Sequence, residues 1–403
     1  MRGLGRAGIE VSALGPHGGA AGLWSRYARH RLIAPCPEKE RGRFVSETSD
    51  LLARTGPVVA YPASERSIDA LVDVARAMPN HAQLPFPAGG QLNRLRDKRE
   101  LAKLAGGLDL AVPTSWEGRA GGLAAASFPL PALIKSRGFS ASPLPARVVE
   151  SADDLRTAAL ELPSEEVVLV QPYLRAPLLM LAVVIDREGR PVSRFAQIAE
   201  RTWPSKAGAG AVIASVSPGN APVDAAVELL ARVGYFGLAQ LDFLVTADGP
   251  KLIDVNPRFY ASLPLAIACG VNLPAAWHAV VTGTRPPSER FYPVGATYRS
   301  LVANLASRLD RVAKLRARLG EVPLEHSPHE RPRPCGKRRE SANDSLLSCY
   351  ARPDRRARKG GIYDGGRTDP RVRGELASSV PGKPKTAEMH SGPGFRISRR
   401  SEG

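Results

Sequence analysis

One segment in the middle of the chain, LAQLDFLVTADGPKLIDVNPR, constrains the fold more than any other. Apolar and polar residues alternate in both of its halves, and the tripeptide ADG between them is a turn signal, so the segment predicts a β-hairpin. With the turn centred on the aspartate of ADG, Asp242 lies directly opposite Asp254. Asn256 and Arg258 follow at a period of two and share that polar face, whereas Ile253 and Val255 are expected to point to the other, apolar face.

This polar face has the composition of a cation site. Two facing carboxylates repel each other unless a cation compensates their charge, and a carboxamide beside them adds a third oxygen ligand. We therefore expect Asp242, Asp254 and Asn256 to hold Mg²⁺, with Mn²⁺ as the alternative ion. Because substrate phosphates commonly complete the shell of Mg²⁺, a phosphorylated ligand is predicted as well. The competing interpretation is a solvated sheet face whose aspartates pair with Arg258 and nearby lysines.

The composition of the chain limits the classes of protein to which it can belong. Of its 403 residues, 43% are hydrophobic and 24% are charged, which excludes a wholly disordered or collagen-like chain. The longest strongly apolar run, at 178–185, has eight residues, and a membrane helix needs roughly 20. The first residues lack the pattern of a secretory signal, and four scattered cysteines do not form a disulfide framework. We expect a cytoplasmic protein that does not interact with membranes.

The positive charge is concentrated near the end of the chain. The net charge is +17, and residues 286–403 hold 25 Lys and Arg against 13 Asp and Glu, so most of the excess lies there. After about residue 320 the periodic apolar pattern stops, and we interpret 321–403 as a disordered basic tail. Its charges are spread among prolines and acids, with little aromatic interleaving for base stacking, so we do not expect nucleic-acid binding.

Apolar patterns divide the rest of the chain into an α/β part and a strand-rich part. Residues 1–110 alternate between short strand and helix patterns, but they begin with a helix-like segment where such a unit normally begins with a strand. We therefore expect that this unit is partial or that its start lies upstream. From residue 130 strand patterns are frequent and several form hairpins, which is typical of an α+β domain. Residues 301–319 have apolar side chains at three- and four-residue spacing and predict a helix that packs back on the body.

The hairpin and the residues after it, LAQLDFLVTADGPKLIDVNPRFYASLPLAIACGVNLP, are similar to the metal-binding end of the ATP-grasp superfamily, in particular to its carboxylate-amine ligase-like members. The resemblance covers residues 1–285. It implies an ATP-grasp fold over 96–285, in which two α+β lobes surround a nucleotide cleft, preceded by a partial Rossmann-like pre-ATP-grasp α/β domain over 1–95. Residues 286–320 are expected to form a helical extension, and 321–403 take no part in the resemblance.

The resemblance also assigns residues to the phosphates. Lys98, in RDKRELAKLAGGLDLAVP, matches the first phosphate-binding lysine of the family, and Lys135, in PALIKSRGFSASP, matches the second. Lysine brings compact positive charge to phosphate oxygens, and the glycine and serine loop after Lys135 can add backbone and hydroxyl donors. Arg201, in AERTWPSKAGAG, and Arg258 match arginines that stabilise the transferring phosphoryl group.

An adenine pocket is implied by the segment VLVQPYLRAP, which is similar to the family's linker between the two lobes. Gln171 would approach the adenine amino group, the carbonyl of Pro172 would accept from it, and the amide of Leu174 would donate to the ring. Proline lacks an N–H but keeps its carbonyl, so this role suits it. The sequence departs from the family at both acidic metal positions, where glutamate is commoner than aspartate.

The activity implied by the resemblance is an ADP-forming, Mg-dependent ligase that joins a carboxylate to an amine, or less readily to a thiol, through an acyl phosphate. Its cofactors would be ATP and Mg²⁺, and its partners a small-molecule carboxylate and a small-molecule amine. A homodimer is the commonest assembly of soluble oligomers and is the alternative to a monomer. Two other interpretations remain open: a non-catalytic nucleotide-binding protein whose basic tail tethers it to nucleic acid, and a biotin-carboxylase-like role in the same superfamily.

Overall fold

The structure is a computed structural model that describes residues 1–318, apart from 78–79, 88, 109, 126, 138–145 and 289–290, and for 313–318 it describes the backbone alone. Two predictions fall outside these residues: the disordered basic tail at 321–403 and most of the glycine and serine loop that follows Lys135. Within the described part of the chain, no helix is long and apolar enough to cross a membrane.

The first part of the chain has the predicted α/β character, with two small parallel sheets. Its elements are α1 (Arg2–Arg6), β1 (Ser12–Gly15), β2 (His30–Ile33), α2 (Arg41–Ala53), β3 (Val58–Val59), α3 (Glu65–Val74) and β4 (Ala82–Gln83). Strand β1 pairs with β2, and β3 pairs with β4. Phe44 and Leu52 of α2 pack against Val74 of α3 in a core of their own. This packing fixes the position of α3, which begins at Glu65.

Two short helices, separated by a single residue, come next in the chain. Helix α4 (Gly90–Arg96) ends where α5 (Lys98–Ala105) begins, with Asp97 between them. The side chain of Asp97 accepts hydrogen bonds from the backbone amides of Arg99 and Glu100, which makes it the N-cap of α5. As a consequence Lys98 is the first residue of a helix rather than part of a continuous helical surface.

A four-stranded antiparallel sheet follows. It consists of β5 (Trp116–Arg119), β6 (Ala132–Ser136), β7 (Arg147–Val149) and β8 (Val167–Pro172), in the order β5-β8-β6-β7. One face is covered by α6 (Ala152–Glu161) and by a short 3-10 helix at Ala120–Ala125, where Ile134 and Val168 are buried with Leu155. The opposite face carries Lys135, which lies within the otherwise mostly apolar strand β6.

The second lobe is built on a six-stranded antiparallel sheet in the order β13-β12-β9-β10-β11-β14. Its strands are β9 (Leu178–Ile185), β10 (Pro191–Trp203), β11 (Ala209–Val216), β12 (Gly237–Thr246), β13 (Gly249–Asn256) and β14 (Thr297–Arg299). Helices α7 (Val223–Arg232), α8 (Leu263–Ala268) and α9 (Leu273–Thr282) contribute to its core, in which Trp277 and Phe243 are fully buried. Strand β14 extends this sheet beyond residue 285, where the sequence predicts the domain to end.

The predicted hairpin is formed by β12 and β13, and its register holds at the acidic pair. Thr246 pairs with Gly249, so the turn contains two residues and is tighter than a turn centred on a single aspartate. A β-bulge at Ile253 then adds one residue to β13, and Asp242 pairs with Asp254 as predicted. The bulge therefore compensates for the tighter turn.

The same bulge makes the prediction for Ile253 wrong. Ile253 is half-buried, whereas Leu252 is 1% exposed and Val255 is 2% exposed. Since the bulge places an extra residue between Leu252 and Asp254, Leu252 takes the core position that strict alternation assigned to Ile253.

The C-terminal helix of the described chain, α10 (Leu301–Arg318), packs on the body as predicted but through an unexpected face. Ser307 is 2% exposed and Asn304 accepts a hydrogen bond from Arg201 of β10. The apolar stripe, by contrast, is exposed, with Leu305 at 60% and Leu309 at 63%. Small and polar residues allow the helix to approach the sheet closely, and the leucines are left on the outer side.

Candidate functional site

The three side chains predicted to bind metal lie together at one edge of the large sheet. Asp242 and Asp254 are direct partners across β12 and β13, and Gln240 is the partner of Asn256. Asn256 Nδ2 donates to Asp242 Oδ2 at 3.2 Å. Gln240 is 6% exposed and was not predicted, although the hairpin register would have identified it. The hairpin thus presents a compact set of oxygen atoms that can act as metal ligands.

The two aspartates differ in their protonation. Burial, and next the charge of Asp254, raises the pKa of Asp242 to about 8. Burial also acts to raise the pKa of Asp254, but the charge and hydrogen bond of Lys98 outweigh it and hold that pKa below its ordinary value. Burial therefore favours the neutral form of Asp242, whereas Lys98 favours the charged form of Asp254.

One carboxylate oxygen of the acidic pair lacks a hydrogen-bond partner among the described residues, and this favours a cation at the pair. Asp242 Oδ1 is buried and has no hydrogen-bond partner among the described residues. An unsatisfied buried carboxylate oxygen is costly, and a hard cation between Asp242 and Asp254 would satisfy it. The 37% exposure of the Asp254 side chain leaves that carboxylate accessible to a ligand. The donor set of Asp242, Asp254 and Asn256 therefore suits Mg²⁺.

Both predicted phosphate lysines surround the same carboxylate. Lys98 Nζ donates to Asp254 Oδ1 in an ion pair. Lys135, on β6 of the smaller sheet, is close enough for its charge to act on both groups. Burial, and then the charge of Lys98, lowers the pKa of Lys135 to about 8, while Asp254 opposes the shift. Two cations and two acids from three separate segments are thus assembled at one point.

A groove of about 800 Å³ adjoins Lys98 and is lined by Ser115, Glu117 and Leu169, among others. Leu169 pairs with Glu117 on one side and with Lys135 on the other, so these three residues share one face of the small sheet. The groove therefore runs along the face that carries Lys135. A second groove, of about 900 Å³, lies near the far end of β9 and contains none of the predicted site residues.

The predicted adenine segment connects the two sheets. Gln171 and Pro172 end β8, and Leu174 lies in the linker that leads to β9. Gln171 is 7% exposed, and its Nε2 donates to Ser115 Oγ at 2.7 Å. Ser115 comes from the strand-free segment before β5, and no sequence signal had indicated it. The linker thus places Gln171 beside the groove that extends from Lys98.

The two predicted arginines have different surroundings. Arg258 donates from Nη2 to Asn256 Oδ1 at 3.0 Å, so it directly contacts a predicted metal ligand. Arg201 lies at a bulge in β10 and donates to Asn304 of α10 at 2.9 Å. Among the described residues no contact joins Arg201 to the acidic pair. Arg258 is therefore part of the assembled site, and the role of Arg201 stays a prediction.

Several charged residues around this site were not predicted from the sequence. Glu65 of α3 and Arg96 of α4 form a network with Arg258, and Asp69 completes it. Arg137 bridges Asp97 and Glu117 beside the groove. All of these contacts join segments that are far apart in sequence, and each residue alone has the pattern of an ordinary surface charge.

Comparison with known proteins identifies the family of this part of the chain. Residues 145–262 match a protein-family model described as an ATP-grasp domain. The protein contains an ATP-grasp domain. The matched range includes the hairpin with its two aspartates, the predicted adenine linker, and Arg201 and Arg258. A search of curated proteins found no match.

Solved structures share the fold of the ATP-grasp domain and its surroundings. An N5-carboxyaminoimidazole ribonucleotide synthetase in complex with ADP has a TM-score of 0.59 at 14% identity, with 78% of this chain and 81% of that chain covered. The corresponding synthetase from Staphylococcus aureus has a TM-score of 0.58 at 14% identity, with 78% and 82% covered. The biotin carboxylase domain of Hydrogenobacter thermophilus 2-oxoglutarate carboxylase, a dimer with MgADP and bicarbonate, has a TM-score of 0.55 at 13% identity, with 73% and 69% covered. The predicted ATP-grasp fold is confirmed.

Proposed function

We propose that the protein is an ATP-dependent ligase that joins a carboxylate to an amine, or less readily to a thiol, through an acyl phosphate. The observation that carries this proposal is the cluster of Asp242, Asp254 and Asn256 with Lys98 and Lys135 at a groove. An ATP-grasp fold supplies the nucleotide cleft, and the cluster supplies the charges that a nucleotide triphosphate with its metal requires. ATP and Mg²⁺ are the proposed cofactors, with Mn²⁺ as the alternative ion.

Asp242, Asp254 and Asn256 would hold Mg²⁺. When bound, the ion neutralises phosphate oxygens and orients the terminal phosphoryl group. Lys98 would exchange its contact with Asp254 for a phosphate oxygen, since its ammonium is a mobile point charge on a flexible stem. Lys135, whose lowered pKa of about 8 leaves it only partly protonated at pH 8 without a ligand, would take up a proton as the phosphates approach.

The proposed reaction has two steps. First, an oxygen of the substrate carboxylate attacks the γ-phosphorus of ATP and ADP departs, which forms an acyl phosphate. Second, the amine nitrogen attacks the acyl carbon, inorganic phosphate departs, and the nitrogen loses its proton to solvent. Arg258, which contacts Asn256, would stabilise the negative charge that develops on the transferring group, and Arg201 is the second candidate for that role.

Gln171, Pro172 and Leu174 would bind adenine at the linker between the sheets. The hydrogen bond from Gln171 to Ser115 orients the Gln171 amide before a nucleotide arrives. The carbonyl of Pro172 and the amide of Leu174 would then supply the acceptor and donor for the edge of the base.

Bicarbonate belongs among the acids to be tested. The neighbouring structures include a biotin carboxylase domain with bicarbonate and synthetases of N5-carboxyaminoimidazole ribonucleotide. Bicarbonate is itself a carboxylate, and its phosphorylation follows the same first step. The acid screen therefore contains bicarbonate, amino acids and simple monocarboxylates, each with a set of primary and aromatic amines.

The decisive experiment measures phosphate release from ATP across this screen with the parent protein, Asp254→Asn and Asp248→Asn. Asp248 lies in the turn of the same hairpin and its side chain is 85% exposed, so it is a matched control. We expect Mg-dependent turnover in the parent and in Asp248→Asn, and a loss of about 100-fold or more in Asp254→Asn. Equal rates in all three proteins would remove the metal assignment and the proposed chemistry with it.

A further inference from the structure

Glu65, the first residue of α3, lies between two guanidinium groups. Arg258 Nε donates to Glu65 Oε1 at 2.8 Å, and Arg96 Nε lies 2.8 Å from Glu65 Oε2. The side chains are 18% exposed for Glu65, 24% for Arg258 and 7% for Arg96. Charge-assisted contacts at this depth are screened less by water than contacts on the surface. Glu65 therefore connects the first part of the chain to the end of the hairpin.

Arg96 has a second carboxylate partner, whereas Arg258 does not. Arg96 Nη1 and Nη2 donate to the two oxygens of Asp69 at 2.7 and 3.1 Å. Asp69 lies one helical turn after Glu65 on α3, so both acids face Arg96. Among the described residues, Glu65 is the carboxylate that forms an ion pair with Arg258. Loss of its charge would leave Arg96 paired and Arg258 unpaired.

Arg258 is otherwise held by neutral oxygens of its own segment. Its Nη1 donates to the carbonyl of Phe259 and its Nη2 donates to Asn256 Oδ1, both at 3.0 Å. A guanidinium has five N–H donors, and these contacts together with the one to Glu65 use three of them. Among the described residues no partner uses the second N–H of either terminal nitrogen, and these two donors can contact a ligand. The orientation of that free pair depends on the Glu65 contact, which is the charged one.

The Glu65 contact provides a second connection to the end of the hairpin. Arg96 and Lys98 are separated by a single residue, and each connects to the hairpin: Lys98 directly to Asp254, and Arg96 through Glu65 to Arg258. When Lys98 moves to a phosphate, the first connection is broken. The second one keeps α3 and the α4–α5 junction attached to β13.

We infer that Glu65 is a positioning residue for the proposed ligase site: it holds the Arg258 guanidinium toward the transferring group and away from the acidic pair. Without it, the opposite charges available to Arg258 are the metal-binding carboxylates, and the positive charge of Arg258 already acts on Asp242. An arginine that contacts these acids competes with Mg²⁺ for them. This inference rests on the proposed function, because it concerns the ion that the site is proposed to hold.

The test compares Glu65→Gln, Glu65→Asp and Asp69→Asn with the parent. Glu65→Gln keeps an acceptor of the same length for Arg258 Nε but removes the charge, so the variant should fold. Asp69→Asn is the matched control, since it perturbs the same network on the same helix without touching Arg258. The readout is the binding of a fluorescent ADP analogue without turnover, titrated with Mg²⁺, together with the unfolding temperature of each protein.

We expect the Mg²⁺ concentration for half-maximal nucleotide binding to rise on the order of tenfold in Glu65→Gln, as is usual when a group that orients metal ligands is removed. Glu65→Asp should recover part of this loss, and Asp69→Asn should lower the unfolding temperature while leaving the Mg²⁺ requirement at the parent value. Equal Mg²⁺ requirements in Glu65→Gln and Asp69→Asn would overturn the positioning role alone. A parent protein that binds the analogue with no dependence on Mg²⁺ would overturn the proposed function, and this inference with it.

Discussion

Lys98 and Asp254 form an ion pair across 156 positions of the sequence. The contact joins the first residue of α5 to the last strand of the hairpin, and it places a mobile positive charge on a proposed metal ligand. Because a lysine ammonium and Mg²⁺ have the same effect on a carboxylate, Lys98 stabilises the acidic pair in the absence of the proposed metal.

Replacement of Lys98 by methionine should destabilise the protein when Mg²⁺ is absent. Asp254 then lies beside Asp242 without its counterion, and we expect the free energy of unfolding to fall by roughly 1–2 kcal/mol, as for a lost hydrogen bond to a charged group. Added Mg²⁺ should raise the unfolding temperature of Lys98→Met more than that of the parent. Thermal unfolding in EDTA and in Mg²⁺ measures this, with Lys103→Met, an exposed lysine of the same helix, as control. Identical Mg²⁺ shifts in the two variants would contradict it.

The raised pKa of Asp242 predicts that stability depends on pH in the absence of metal. Its pKa is about 8 in the folded protein and 3.8 ordinarily, so the folded state binds more protons between these values. Stability from this group is therefore present below about pH 4 and is lost as the pH rises to about 8, with a slope of at most about 1.4 kcal/mol per pH unit. Asp242→Asn should lack this loss. Urea unfolding at pH 5.5, 6.5 and 7.5 in EDTA measures the free energy of unfolding of the parent and of Asp242→Asn. The prediction is refuted if both free energies change with pH to the same extent.

The lowered pKa of Lys135 predicts the opposite trend at higher pH, where the stability of the protein should rise with pH. Its pKa is about 8 in the folded protein and 10.5 ordinarily, so the unfolded chain binds more protons between these values. The contribution of this group is present above about pH 10.5 and is lost as the pH falls to about 8. Lys135→Met should remove this rise in stability between pH 8 and pH 10, measured by urea unfolding.

The same lysine should take up a proton when a nucleotide binds. At pH 8.5, ATP without Mg²⁺ brings negative charge to Lys135 and raises its pKa. Calorimetric titrations in buffers with different ionisation enthalpies would detect the uptake, which should be absent in Lys135→Met and retained in Lys103→Met. A binding enthalpy that is independent of buffer in the parent would be inconsistent with this site.

Gln171 should affect binding of the base and not of the phosphates. In Gln171→Ala the adenine contact is lost, and we expect ATP affinity to fall by about 2- to 10-fold, the usual effect of one hydrogen bond. Ser115→Ala, which removes the partner that orients Gln171, should give a smaller loss in the same direction. Competition with tripolyphosphate separates the two parts of the ligand. If Gln171→Ala lost equal affinity for ATP and for tripolyphosphate, Gln171 would not contact the base.

The exposed stripe of α10 should tolerate polar substitution. Leu305→Gln and Leu309→Gln should change the free energy of unfolding by less than about 0.5 kcal/mol, because both side chains are largely exposed. Ser307→Leu should destabilise by about 1–3 kcal/mol, since it inserts volume at a buried contact. Chemical denaturation measures both. A large loss from the leucine substitutions would show that the stripe packs as the spacing of its apolar residues first suggested.

The parts of the site that could be predicted from the sequence are those with local causes. The alternation of apolar and polar residues and the turn signal predict the hairpin, and the pairing of Asp242 with Asp254 follows from them. The prediction for Ile253 failed at the β-bulge, because alternation counts residues and a bulge inserts one without changing composition. The prediction for α10 recognised the helix but not the face that packs, since closeness to the sheet favours small residues there.

The sequence by itself determined that two acids and an amide share one strand face, because this follows from a period of two and from turn chemistry, which act over a few residues. Lys135 and the linker with Gln171 were indicated by the resemblance to the ATP-grasp superfamily and not by periodicity. Only the tertiary structure decided that Lys98 contacts Asp254, that Glu65 holds Arg258, and that Ser115 orients Gln171. Such contacts depend on how distant segments pack on one another, and a charged or hydroxyl side chain carries no local signal of the partner it will meet.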